Sequence, residues 1–116
     1  ICIGNTDDHF RNHGFLLTVK GWTLSPAYDM NPTVNEYQSL LINSYTNKSD
    51  LKELLDSCEE YMLPKETAGQ IIGEVLNAVM EWRTLATKLG IAKNEQERFA
   101  VVFERQILSY DRNKEK

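Results

Sequence analysis

A chain of 116 residues can bury one modest core, and with 41% hydrophobic and 26% charged residues it has the composition of a folded protein, which excludes disorder as the default. The net charge of −4 excludes the basic surplus by which a nucleic-acid-binding domain advertises itself. Apolar runs such as Phe15-Leu16-Leu17 are far too short to span a bilayer, and no signal-peptide pattern is present.

The first segment, Ile1 to Gly4, reads as the middle of an element, so the chain is expected to be a piece excised from a longer protein. Up to about residue 47 the sequence is rich in Asn, Gly, Pro and Thr and lacks helical periodicity. Phe15–Val19 and Trp22–Leu24 are β-favouring runs around Lys20-Gly21, which predicts a hairpin. Ser25-Pro26 and Asn31-Pro32 then break the pattern into an irregular loop through about Glu36. Tyr37–Ile42 is apolar enough for another short strand or extended piece.

From residue 49 the period becomes helical. Asp50 with Glu53 predicts a capping box, ahead of a helix whose Leu51, Leu54, Leu55 and Cys58 share a face. Pro64 fits the first turn of a longer helix. Its stripe runs through Ala68, Ile71, Ile72, Val75, Leu76, Val79, Trp82, Ala86 and Leu89 to a stop at Gly90. Asn94 and Glu97 predict the cap of a last helix with Phe99, Phe103, Ile107 and Tyr110 toward the core, and the charged tail from Asp111 is expected to fray. Gly69 and Gly73 on the long helix predict close helix packing, and Trp22, Tyr28 and Trp82 read as core or loop-bracing aromatics. Lys88, Lys93 and Arg98 read as a solvated face. Cys2 and Cys58, with no CxxC partner, read as reduced, partly buried thiols of a cytoplasmic protein. The fold class is therefore mainly α with a small β-hairpin. Residues 1–48 carry the loops and hairpin, and residues 49–116 form a helical subdomain.

The chemistry concentrates in Gly4-Asn5-Thr6-Asp7-Asp8-His9-Phe10-Arg11-Asn12, which packs two acids, an imidazole, a cation and two amides into one loop. Three readings compete. Asp7 and Asn12 have the D-x-x-x-x-N spacing of a kinase catalytic loop, in which the acid accepts the proton of an attacking hydroxyl and the amide oxygen meets Mg²⁺. A hairpin and then a second acid, Asp29, complete that pattern, and hard oxygen ligands suit Mg²⁺. Alternatively, Asp7, Asp8, His9 and His13 form the zinc or manganese site of a hydrolase. Asn12 and Gly14 disfavour the helix such a histidine pair wants, and no further histidine exists to complete it. The blandest reading is a turn crowded with Asn, Asp and Thr because they bond nearby backbone. The combination of spacing, hairpin and Asp29 favours phosphoryl transfer.

The segment from Ile3 to Leu16, followed by Trp22 to Met30, closely resembles HipA-type serine/threonine kinases, whose pattern runs G-N-x-D-x-H-x-K-N, a hairpin, then L-[AS]-P-x-Y-D. The later Trp82-Arg83, Leu85-Ala86 and Gly90-Ile91 extend the likeness over essentially the whole chain. The resemblance implies the C-terminal, helical-lobe part of a HipA-like protein-kinase fold. It implies Asp7 as catalytic base, His9 as a brace of the loop, and Asn12 and Asp29 as Mg²⁺ ligands. Arg11 falls where lysine is usual and becomes the cofactor-side cation facing ATP, a planar fork in place of a point charge. Asp8 receives no fixed role, and His13 reads as structural.

The six glycines form no G-x-G-x-x-G, and no V-A-I-K-like strand is present. The 116 residues alone are therefore expected to be inactive, with ATP and Mg²⁺ serving the parent protein. The resemblance further implies a protein substrate and a toxin–antitoxin pairing with a HipB-like helix-turn-helix antitoxin, so that DNA is met only indirectly and a membrane not at all. The alternatives are a small-molecule phosphotransferase of the aminoglycoside-kinase type, or an interaction module that binds such an antitoxin.

Overall fold

The computed structural model describes residues 1–114, with side chains described through Asp111. A 3-10 turn at Phe10–Asn12 leads into an antiparallel hairpin of β1 (Phe15–Thr18) and β2 (Gly21–Leu24), with Phe15 opposite Leu24 and Thr18 opposite Gly21. The connecting pair is Val19-Lys20, one residue earlier than the sequence indicated. The Thr18 hydroxyl decides the register, accepting the Lys20 N–H at 3.1 Å and donating to the Gly21 carbonyl at 3.0 Å. Trp22, expected to brace or fill a core, is 72% exposed on this ribbon.

The expected strand at Tyr37–Ile42 is reduced to a single bridge from Tyr37 to Lys48. Polar side chains replace the ladder. Gln38 Nε2 donates to Ser49 Oγ at 2.9 Å, Asn47 Nδ2 donates to the Gln38 carbonyl at 2.7 Å, and Asn43 Oδ1 accepts from the Tyr45 and Thr46 amides. Gln38, Asn43 and Ser49 are all buried, so their bonds replace what water would otherwise supply.

The helices follow. Asp50 caps α1 (Leu51–Asp56), accepting from the Lys52 and Glu53 amides, but the box is one-sided because the Asp50 N–H goes to the Lys48 carbonyl. Cys58 lies beyond α1 in a 3-10 turn, Cys58–Tyr61, that Met62 ends in a left-handed conformation. Pro64 is the residue before α2 (Lys65–Met80), where its backbone is extended and its carbonyl accepts the Ala68 N–H at 3.0 Å to start the helix. Lys52 and Lys65 both grip Asp56 across this junction, at 2.5 and 2.8 Å, and those hydrogen bonds hold its carboxyl below the usual aspartate value.

The long apolar stripe is not one helix. It breaks at Glu81, and α3 (Trp82–Lys88) turns its first residues onto α4 (Lys93–Lys114). Trp82 stacks on Phe103 with centroids 4.7 Å apart, and Arg83 reaches both Glu97 and Glu104 at 2.9 Å. Gly90, at φ +76°, closes α3 with paired bonds from Gly90 N–H to Thr87 and from Ile91 N–H to Ala86. The cap expected at Asn94 sits earlier, because the Ala92 carbonyl already receives the Glu95 and Gln96 amides. Past Asp111, α4 continues as helix to Lys114. Phe99, expected in the core, is 44% exposed along α4.

Leu51, Ile72, Leu76 and Tyr110 form the core, joined by Ile1, Cys2, Leu54, Leu55 and Ile107. Gly69 approaches both Leu55 and the Tyr110 hydroxyl, whereas Gly73 faces no close neighbour. Both cysteines are free, and burial pushes the Cys2 thiol up. Gln106 and Val102 help tie α4 to the first half of the chain. Buried Gln106 donates to the Ser49 carbonyl at 2.6 Å, and Val102 lies against Gly4. A Cβ at Gly4 would sit 2.5 Å from Val102 Cγ1 and 2.9 Å from the Thr33 carbonyl oxygen, at a φ of +68°. Gly4→Ala should therefore cost about 2–4 kcal/mol, combining left-handed strain with overpacking. Urea denaturation of the variant reads that loss, and an unchanged midpoint would contradict the packing at Gly4.

Candidate active site

The segment from Gly4 to Asn12 lies alongside residues 30–33, and a run of hydrogen bonds joins the two. The Gly4 carbonyl accepts from the Thr33 amide at 2.8 Å and the Thr33 hydroxyl at 3.1 Å. The Thr6 and Thr33 hydroxyls share a bond of 2.5 Å, and Asn5 Oδ1 accepts the Asn31 N–H at 3.2 Å. Asn5 and Thr6 are 4% and 2% exposed, so a fully satisfied polar base lies directly beneath Asp7.

Asp7 emerges from that base exposed to solvent, and Ser39 Oγ approaches its Oδ1 at 3.4 Å, a long contact. The chain then enters the 3-10 turn. Asn12 Oδ1 accepts the His9 N–H at 3.2 Å, which closes the turn on itself. Its Nδ2 donates to Asp29 Oδ2 at 3.0 Å, across a sequence separation of 17 residues. The hairpin delivers Asp29 to this place. Ser25 N–H bonds the Gly14 carbonyl just past the paired strands, and the Tyr28 hydroxyl donates to the Arg11 carbonyl at 2.9 Å. Tyr28 is thus a loop brace. Asp29 itself is left-handed, at φ +55°, a conformation that aspartate tolerates better than most side chains.

The structure brings Asn12 and Asp29 together and leaves Asp7 on the same loop without a hydrogen bond to either among the described residues. His9 contributes its backbone, while its ring Nδ1 is buried without a partner. Arg11 contributes its carbonyl, and its exposed side chain forms no ion pair among the described residues. Asp8 and His13 bond each other at 2.9 Å. Of the four groups of the hydrolase reading only Asp8 and His13 meet, and among the described residues no three His, Cys, Asp or Glu side chains gather to hold a metal.

One carboxylate and one amide are, by contrast, a fitting donor set for Mg²⁺. That ion takes one or two protein oxygens and completes its shell with water and phosphate oxygens. Asp29 Oδ2 is held by a single amide hydrogen bond that a cation would replace. A cleft of about 280 Å³ opens beside the pair, with Asp8, Asn12, His13, Tyr28 and Met30 in its wall. Sequence reasoning did not single out Asn5, Thr33, Ser39 or Asn31. The last donates its Nδ2 to Asp29 Oδ1 at 2.8 Å. The one local signal was Asn31 two residues after an acid in a loop, a spacing common in turns.

A family model, the HipA-like C-terminal domain, matches residues 1–83, and the chain belongs to that family. The match takes in the loop pair, the hairpin, α1 and α2 and ends at the start of α3, so the likeness drawn from Leu85 to Ile91 lies outside it. No curated protein and no solved structure matches the chain. Among the described residues no helix is long and apolar enough to cross a membrane.

The near-isosteric change Thr33→Val tests the polar base, since it removes one hydroxyl that serves both Gly4 and buried Thr6. The expected cost is about 1–3 kcal/mol, the penalty of leaving a buried polar group unmatched. Thermal or denaturant unfolding measures it, and a neutral substitution would show that the two segments are not held this way.

Proposed function

We propose that the complete protein is a serine/threonine protein kinase that transfers the ATP γ-phosphoryl group to a protein hydroxyl. The observation that carries this reading is the contact between Asn12 and Asp29, two residues whose spacing from Asp7 already matched a kinase metal site. Asp7 is the catalytic base. It accepts the proton of the attacking hydroxyl as that oxygen bonds the γ-phosphorus and the bond to the ADP oxygen breaks. Its exposure leaves it open to a side chain offered by another protein. Asn12 and Asp29 hold Mg²⁺, which when bound neutralises charge on the phosphate oxygens. Arg11, exposed and without an ion pair among the described residues, offers a guanidinium suited to phosphate, and His9 braces the turn through its N–H to Asn12.

The family membership extends the proposal to a toxin paired with a helix-turn-helix antitoxin in the cytoplasm. The helical half would then form the surface that such a partner meets, with DNA contacted through the antitoxin alone.

Asp7→Asn and Asp29→Asn in the complete protein should each lower phosphate transfer by at least about 10²–10⁴-fold, the usual worth of a general base. Both residues are exposed, so unfolding midpoints should stay near wild type. Mass spectrometry of a lysate incubated with ATP and each variant supplies the readout. Phosphate on protein serine or threonine supports the kinase, phosphate on a metabolite instead makes the protein a small-molecule phosphotransferase, and undiminished transfer by either variant removes the assignment.

A further inference from the structure

Both oxygens of Asp29 are occupied by amide donors, and the two donors differ in kind. Asn12 sits on Oδ2 at 3.0 Å, at the end of a loop, and is itself read as a ligand of the cation. Asn31 sits on Oδ1 at 2.8 Å, and its own backbone is pinned. Its N–H donates to Oδ1 of Asn5, which is 4% exposed, and Pro32 follows it and restricts its backbone to extended conformations. Thr33 then locks the next step to Gly4 through two bonds. The Asn31 amide is therefore aimed from a fixed base, whereas the Asn12 amide gives up its bond to Asp29 when a cation takes Oδ2.

We infer that Asn31 is a positioning residue that keeps Asp29 Oδ1 occupied, so that the carboxylate offers a cation one oxygen rather than two. This inference rests on the metal reading of Asn12 and Asp29. An N–H held on Oδ1 competes with chelation by both oxygens. Ca²⁺, with its larger shell of six to eight oxygens, readily takes a carboxylate through both, while Mg²⁺ and Mn²⁺ accept near-octahedral geometry with single oxygens. The Asn31 amide thus discriminates by ligand count. It favours the small ion without touching it. Asp29 makes this bond to the side chain two residues on from a left-handed backbone.

The experiment titrates the complete protein with Mn²⁺ alone, followed by electron paramagnetic resonance, and then competes Ca²⁺ against bound Mn²⁺. Asn31→Ala should weaken Mn²⁺ by about 10-fold or more, the usual effect of removing a group that orients a ligand. Ca²⁺ affinity should hold or rise, so the preference for Mn²⁺ narrows. Asn31→Leu, which keeps bulk but no donor, should behave alike and substitutes for the alanine variant should that one fold poorly. An unchanged preference, or an equal loss for both ions, overturns the role of Asn31 and leaves the metal reading standing. Failure of the wild-type protein to bind Mn²⁺, or undiminished binding in Asp29→Asn, overturns the metal reading and this inference with it.

Discussion

The site depends on the bonds between Gly4–Thr6 and Asn31–Thr33. Without them the loop bearing Asp7 and the acid after the hairpin would be two polar segments of high conformational entropy with no reason to stay adjacent. Apart from exposed Asn31, each partner is buried or half-buried and each bond is made, so the low local dielectric strengthens the set instead of penalising it. The arrangement also explains why so polar a stretch folds at all. Its satisfied groups face inward, and the carboxylates of Asp7 and Asp29 are exposed above them.

Much of this was legible in the residues. Two β-favouring runs around a short turn predict the hairpin, and the Asp7, Asn12 and Asp29 pattern points to the loop pair that the structure joins. What escaped was decided by atoms far apart in sequence or by competing local bonds. The turn moved to Val19-Lys20 because a threonine hydroxyl bonds across it. The stripe from Ala68 to Leu89 hides the break at Glu81, since Val79, Trp82 and Ala86 keep helical spacing through it. Only the stack of Trp82 on Phe103, 21 positions away, shows why the chain turns there. Asn94 lost its cap to the Ala92 carbonyl, a bond with no side-chain signature. Asn31 was invisible because its partners, Asn5 and Asp29, define it only once the segments meet.

The two halves of the molecule are stabilised differently. The helical half relies on a small apolar core around Leu51, Ile72, Leu76 and Tyr110, the ordinary source of folding energy. The loop half has almost no apolar burial and relies on hydrogen bonds between side chains and backbone. Such bonds contribute modestly one by one and are costly to leave unmade. Substitutions in the first half should therefore act through geometry and polar matching, and those in the second through volume.

The contact of Gly4 with Val102, together with Ile1 and Cys2 on the core that Tyr110 completes, has a consequence for the order of events during synthesis. These contacts join nearly the two ends of the described chain, and long-range contacts close late because loop entropy must be overcome first. The loop bearing Asp7 is made before α4 and cannot take its final shape until that helix has followed it. A nascent chain therefore carries these residues without their arrangement until α4 is made.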